Sequence, residues 1–214
     1  MKQLLILGAG GHGKVIAEVA EASSIWQKIT FLDDRYEMLN GTLRWPVLAG
    51  IQDSGGFASE YVDAVVAVGD SAMRLSLIDM LTAQGFRTPS LIHPAAWISP
   101  SASVGDGCVV MANATLQTDS ELGRGCIVNS GAIVDHDCKL ADGVHVCPGA
   151  SLGGGVHVGA GSWLGIGCSV IQSIRIGKHV TVGAGAAVIN DIEDGLTVVG
   201  VPARDVFSQK DAYE

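Results

Sequence analysis

Basic runs are missing from this 214-residue chain, in which 13 Lys and Arg face 22 Asp and Glu for a formal net charge of −9. A protein that grips nucleic acid or an anionic membrane needs a basic face, so neither partner is expected. Aromatic residues make up only 5% of the chain, too few for base-stacking platforms. No apolar stretch approaches the ~18 residues of a membrane span. The start, "MKQLLIL", has a short apolar run before Gly8, well below the ~7–15 residues of a signal-peptide core. The five cysteines are an odd number with no C-x-x-C pair, which points to reduced thiols in a cytoplasm. No His, Cys and Asp cluster has metal-ligand spacing, so no metal is expected.

What the chain has in excess is glycine, 29 residues, nearly twice the usual ~7% share. That demands tight corners repeated many times. The first glycines stand in "LLILGAGGHGKV", Leu4–Val15, where Gly8-Ala9-Gly10-Gly11-His12-Gly13 spells G-x-G-x-x-G. The loop follows an apolar strand and opens an amphipathic helix over Lys14–Ala22 (Val15, Ile16, Val19, Ala20). Strands are expected at Ile29–Leu32, Ala64–Val68 and Ser90–Ile92. A second helix is expected over Ala72–Gln84, with Leu75, Ile78 and Leu81 on one face and Gly85 at its end. This is half of a doubly wound nucleotide-binding fold. Asp33 lies 20 residues after Gly13, where an acidic group reaches a ribose hydroxyl. A nicotinamide oxidoreductase would need the other half of the fold, and the chain beyond Ile92 does not supply it.

From Ile98 the chain repeats every six residues. Ile98, Val104, Val110, Leu116, Leu122 and every sixth residue on to Val188 are Ile, Leu or Val, 16 positions without a slip. The fourth residue after each anchor is small or aliphatic, from Ala102 and Cys108 to Ile192. The third is Gly in nine hexads and Asn113, Asp119, Asp137 or Asp191 in four more, residue types that tolerate left-handed backbone. One hexad is thus a short strand, an inward anchor, a small inward residue and a sharp corner. Such repeats build parallel β-helices, with ends that need covering. Cys108, Cys126, Cys138 and Cys168 fall on the small inward column and read as inert core; Cys147 is off it and is given no role.

Outward positions are mostly small or polar. The exception is "VDHDC", where Asp135-His136-Asp137 sets an imidazole between two carboxylates. Carboxylates raise an imidazole's pKa and fix its tautomer, which suits a general base. The bland alternative is that Asp137 fills the corner column and His136 is a solvated surface residue. His145 lies nine residues on, half a coil away, so a site using both would span two subunits. His93, His157 and His179 read as structural, and His12 as either a loop cap or a ligand contact.

With these residues in place, the chain resembles the sugar acetyltransferases that join a small nucleotide-binding domain to a left-handed β-helix. These include the sialic-acid O-acetyltransferase-like proteins and the UDP-4-amino-sugar N-acetyltransferases of UDP-bacillosamine-type synthesis. The resemblance covers nearly the whole chain through "GAGGHGKV", "FLDD", "AVGDSAMR", "LIHPAAWISPSA", "VNSGAIVDHDC", "GVHVCPGASLGGGVHVG", "WLGIGCSV" and "VGVPAR". It implies an α/β half-Rossmann domain over 1–92 and an all-β left-handed parallel β-helix with a tail over 93–214. It implies direct acetyl transfer from acetyl-coenzyme A to the 4-amino group of a UDP-4-amino-4,6-dideoxy sugar, with no metal and no covalent intermediate. His136 would be the general base, oriented and polarised by Asp135 and Asp137, where the family often has Glu. Asn129 would lie near the substrate, and the Gly154 N–H would stabilise the oxyanion. His145 would meet acetyl-coenzyme A near the thioester, with Ile166 and Ala184, usually Gly in the family, along the cofactor. Gly10, Gly11, His12, Asp33, Asp34 and Gly69 would bind the nucleotide, although "GDSAMR" departs from the family's usual Gly-Asn-Asn or Gly-Asp-Asn. A homotrimer with sites between subunits is also implied. The alternatives are the same fold acetylating a sugar hydroxyl, as in sialic-acid O-acetylation, and a nonenzymatic nucleotide sensor or scaffold.

Overall fold

The computed structural model describes residues 2–206; the end of the expected C-terminal tail, 207–214, lies outside them. The described chain forms two compact units that divide between Pro94 and Ala95.

The first unit is built on a parallel four-stranded sheet of β1 (Gln3–Leu7), β2 (Lys28–Leu32), β3 (Val47–Ala49) and β4 (Asp63–Val66), in the order β3-β2-β1-β4. Leu4–Leu7, Phe31, Leu32 and Ala64–Val66 are almost completely buried, the continuous apolar pattern of a parallel sheet. Helix α1 runs Gly11–Ala22, α2 Tyr36–Leu39 and α3 Ser71–Ala83. The first helix starts three residues earlier than its apolar pattern indicates, because the glycine loop itself enters the helix. The buried face of α3 is Arg74, Leu77, Ile78 and Leu81, not the face led by Leu75. The sequence reading is also corrected at two strands. β3 was not expected, and Leu91–Ile92 lies outside this sheet. The chain steps from β1 outward to β2 and β3, then returns to place β4 on the other side of β1. Ligands of such sheets bind at this reversal, beyond the carboxyl ends of the strands.

The second unit is a left-handed parallel β-helix. Sixteen two-residue strands, Trp97–Ile98 through Ala187–Val188, pair in parallel with the strand 18 residues on, as Ile127 with His145 and His145 with Trp163. Three hexads therefore make one coil, and three faces result. Fourteen of the 16 anchors are buried, and Ile98 and Val104 at the entry are half-buried. The corners are left-handed at the nine expected glycines and at Asn113, Asp119 and Asp137. Ser173 and His179 adopt the same conformation. Asp191 does not, and its carboxylate instead accepts from the Arg175 N–H at 2.8 Å.

All five cysteines are free and at most 3% exposed. Cys108, Cys126 and Cys138 donate to the Gly123, Ala141 and Gly153 carbonyls one coil further on. Burial raises the Cys138 thiol, and takes Cys147 to about 12 and Cys168 to about 11. Treatment of the native protein with a chromogenic disulfide at about pH 8 is expected to modify none of the five, and all five after unfolding. Fast labelling of a single thiol in the native protein would contradict the inert-core assignment.

Candidate active site

Eighteen-residue stacking sets the environment of His136. Its corner, Asp135-His136-Asp137, is followed one coil later by Gly153-Gly154-Gly155, and the Gly155 N–H donates to the His136 carbonyl at 2.8 Å. The imidazole lies over Gly154: a Cβ there would overlap ring atoms Cε1 and Nε2. The glycine corner therefore makes the space that the ring occupies. His136 Nδ1 is 2.7 Å from Asp137 Oδ2. A proton on Nδ1 satisfies that carboxylate and leaves Nε2 as the free lone pair. Asp135 is placed differently from its partner, with Oδ1 accepting from the His136 backbone N–H at 2.8 Å. The imidazole pKa is raised, chiefly by the hydrogen bond to Asp137 and next by the charge of Asp135. The left-handed corner at Asp137 (φ 58°) and its contact with the ring are one arrangement.

Asn129 and His145 lie on another face of the same prism. Asn129 Nδ2 is 3.5 Å from His145 Nε2, and Trp163, one coil on, meets the His145 ring edge-to-face at 6.4 Å. Asn129 thus stands with His145 and not with His136. Ile166 is exposed at the corner that follows this face, and the Gly185 N–H, beside Ala184 one coil later, donates to its carbonyl at 2.8 Å. The sequence reading gave no role to Trp163; its signal was an aromatic 18 residues after His145.

In the first unit the glycine loop closes the carboxyl end of β1. A Cβ on Gly13 would overlap the carbonyl oxygen of Gly8, so the helix packs against the loop only with glycine there. Gly10 and Gly11 have open space where side chains would stand. Gly10 caps α1 without a side-chain hydrogen bond, and no acidic residue stands in the first turn. These first-turn N–H groups suit an anion. At the carboxyl end of β4, Asp70 caps α3 through the Met73 N–H at 2.8 Å. Gly69, just before it, is exposed.

Two basic residues that the sequence reading left out shape this region. Arg74 is completely buried and donates to the Val68 and Gly69 carbonyls at 2.9 and 2.7 Å. Burial first, and then the Arg74 charge, hold His12 down at about 4, so this imidazole is neutral at physiological pH. Arg35 forks onto Asp33, Nε to Oδ1 at 3.0 Å and Nη2 to Oδ2 at 3.1 Å. Asp33 also accepts from the Ala9 and Arg35 backbone N–H groups, and these contacts, led by the guanidinium, take its carboxyl down to about 2. Asp34 accepts from the Ile51 N–H at 3.0 Å. Asp33, read in the sequence as a ribose contact, is here engaged with the loop and with Arg35. Among the described residues no group of three or more His, Cys, Asp and Glu side chains could hold a metal ion. No helix among them is long and apolar enough to cross a membrane.

Comparison with known proteins agrees with both units. Residues 3–81 match the PglD N-terminal domain, and residues 101–136 match the bacterial transferase hexapeptide (six repeats). UDP-N-acetylbacillosamine N-acetyltransferase of Bacillus subtilis is 40% identical over 115 residues, 52% of each protein. That match spans about half the length of the curated relative. The acetyltransferase domain of PglB from Neisseria gonorrhoeae, solved in complex with acetyl coenzyme A, is 44% identical. The match covers 96% of this chain and 99% of that one, at a TM-score of 0.92. PerB from Caulobacter crescentus, solved in complex with CoA and GDP-perosamine, is 35% identical over 96% of this chain and 97% of that one, at a TM-score of 0.90.

Proposed function

Since the chain belongs to the hexapeptide-repeat sugar acetyltransferases that carry a PglD N-terminal domain, we propose that it moves the acetyl group of acetyl-coenzyme A onto the 4-amino group of a UDP-4-amino-4,6-dideoxy sugar. The observation that carries the reading is the His136 ring, fixed by Asp137 through Nδ1 with Nε2 left as base over Gly154. Relatives named as a UDP-N-acetylbacillosamine N-acetyltransferase and solved with GDP-perosamine support a nucleotide-linked amino sugar as acceptor.

The amine nitrogen attacks the thioester carbonyl carbon, and the carbonyl π pair moves onto oxygen. His136 Nε2 takes the proton that the nitrogen sheds. Asp137 stabilises the resulting imidazolium, and the Gly154 N–H faces the oxyanion. When the oxyanion collapses, the C–S bond breaks and coenzyme A leaves. A thioester is already activated, so no protein nucleophile is needed, and Cys138, buried with a raised pKa, is not one. Asn129, His145, Ile166 and Ala184 serve the acetyl-coenzyme A side. Gly10, Gly11, His12, Asp33, Asp34 and Gly69 serve the nucleotide.

His136 and His145 lie on different faces of one prism, so an enzyme that uses both joins them across subunits. Trp97, Ile133, Ile171 and Ile189 are 41–59% exposed and belong to the face built on the strands at 97, 133, 169 and 187, an apolar surface that supports a homotrimer. The free thiols fit a cytoplasmic enzyme.

Only neutral His136 accepts a proton, so kcat/KM should fall as pH drops through its raised pKa. Asp137→Asn keeps a residue that tolerates the left-handed corner but removes the charge, so the imidazole pKa drops. The acid limb of the pH profile should move to lower pH, and an unmoved limb would remove Asp137 from the account.

Coenzyme A release, measured with acetyl-coenzyme A and either UDP-4-amino-4,6-dideoxy-N-acetylglucosamine or free sialic acid, tests the substrate. Fast turnover with the nucleotide sugar alone is expected. Turnover with sialic acid alone would overturn the acceptor and keep the base.

A further inference from the structure

Asp33 is nine-tenths buried and makes more hydrogen bonds than a ribose-binding carboxylate leaves room for. Two of them hold the protein together. Oδ2 accepts from the Ala9 N–H in the glycine loop at 2.8 Å, and Oδ1 from the Arg35 backbone N–H at 3.0 Å. The other two come from the Arg35 side chain, one on each oxygen. The guanidinium is 59% exposed, so it is a removable cover on a fixed carboxylate. Its fork of two N–H donors has the chemistry of a ribose cis-diol, which presents two O–H donors to the same pair of oxygens. Oδ2 bonds Ala9 and Nη2 together, so the guanidinium rests beside the loop whose helix N-terminus suits an anion.

We propose that Arg35 is a specificity residue that exchanges partners when the nucleotide binds. The ribose diol replaces the guanidinium on Asp33, and the guanidinium turns to the diphosphate. This rests on the reading of the first unit as a nucleotide site. The exchange makes the two halves of the ligand interdependent. A nucleoside takes the carboxylate but offers the displaced cation nothing, so it binds against the cost of an ion pair. A nucleoside diphosphate supplies both the diol and the new anion. Asp34 and Asp53 add negative charge at the neighbouring Gly50–Ile51 turn, where Asp34 Oδ1 accepts from the Ile51 N–H at 3.0 Å and Asp53 Oδ2 from the Gly50 N–H at 3.2 Å, so Arg35 is the cation that offsets this acidic cluster. Arg35 thus selects nucleotides over nucleosides.

Calorimetric titration of the full chain with uridine and UDP, and in parallel with guanosine and GDP, tests this. The wild type should bind the diphosphate of one pair much more tightly than its nucleoside. Arg35→Gln should weaken that diphosphate on the order of tenfold, the usual weight of a charge-assisted contact. It should also tighten the nucleoside, because Asp33 is uncovered. A purely structural role for Arg35 would lower both affinities together. Equal losses, or an unchanged ratio, would overturn the exchange and leave the nucleotide site standing. A wild type that binds neither diphosphate would overturn the site and the exchange with it. Arg35→Lys, with its charge but no fork, should fall between the two.

Discussion

His136→Ala is expected to lower kcat by about 10²–10⁴-fold, the usual contribution of a positioned general base, while nucleotide-sugar affinity stays within about twofold. The ring meets Asp137 on one side and Gly154 on the other, and its side chain is 58% exposed. Truncation therefore removes a proton acceptor without opening a cavity in the prism core, which is built from the anchors and the small inward column. The melting temperature should hardly move. Steady-state kinetics with acetyl-coenzyme A and the nucleotide amino sugar, alongside calorimetry with the sugar nucleotide, separate the two effects. Unchanged turnover would remove His136 from the mechanism, and a large loss of binding would make it a recognition residue.

Gly154→Ala is expected to cost nearly as much, on the order of 10²-fold in kcat, through one methyl group. Gly154 does not need left-handed backbone, since its φ lies outside that region. The added Cβ would occupy the place of Cε1 and Nε2 of His136. The ring has to rotate away, its contact with Asp137 stretches, and Nε2 leaves the position from which the proposed mechanism has it take the proton. Because the ring is at the surface, it yields before the coil does, so stability should change little. The double variant His136→Ala, Gly154→Ala discriminates among explanations. If Gly154 acts through the ring, the second substitution adds little to the first. If its N–H at the oxyanion is the larger contribution and the added methyl disturbs it, the losses multiply.

The six-residue step was legible because the anchor column is Ile, Leu or Val at every position, and burial of that column is the main demand of a prism interior. It gave the fold and the outward place of His136. The eighteen-residue step, three hexads to a coil, carries the contacts of the site, and the sequence reading used it only to set His145 half a coil from His136. Taken from the sequence, it stacks Gly154 on His136, Trp163 on His145, and Ala184 on Ile166. What remained hidden is local. β3 is three residues long between Pro46 and Gly50, too short for either hydrophobic period to register. Leu91–Ile92 is apolar enough for a strand, but composition does not say which sheet takes it. Asp191 fits the corner column by type, yet at the end of the lattice its carboxylate bonds the Arg175 N–H and its backbone stays out of the left-handed region. The covering of Asp33 by Arg35 depends on a side-chain rotamer, which no spacing reveals. Arg74 looked like one polar residue of a helix, and only its burial against the Val68 and Gly69 carbonyls shows that it holds the loop.

The chemistry of the product tests acetyl transfer to nitrogen most directly. The nucleotide sugar would be incubated with enzyme and acetyl-coenzyme A, isolated, and treated with alkaline hydroxylamine, which cleaves acetyl esters of hydroxyls and spares amides. An acetyl group that survives, and that NMR places on the 4-amino nitrogen, is the expected result. Acetyl released by hydroxylamine would place it on a hydroxyl instead and contradict the N-acetyltransferase assignment.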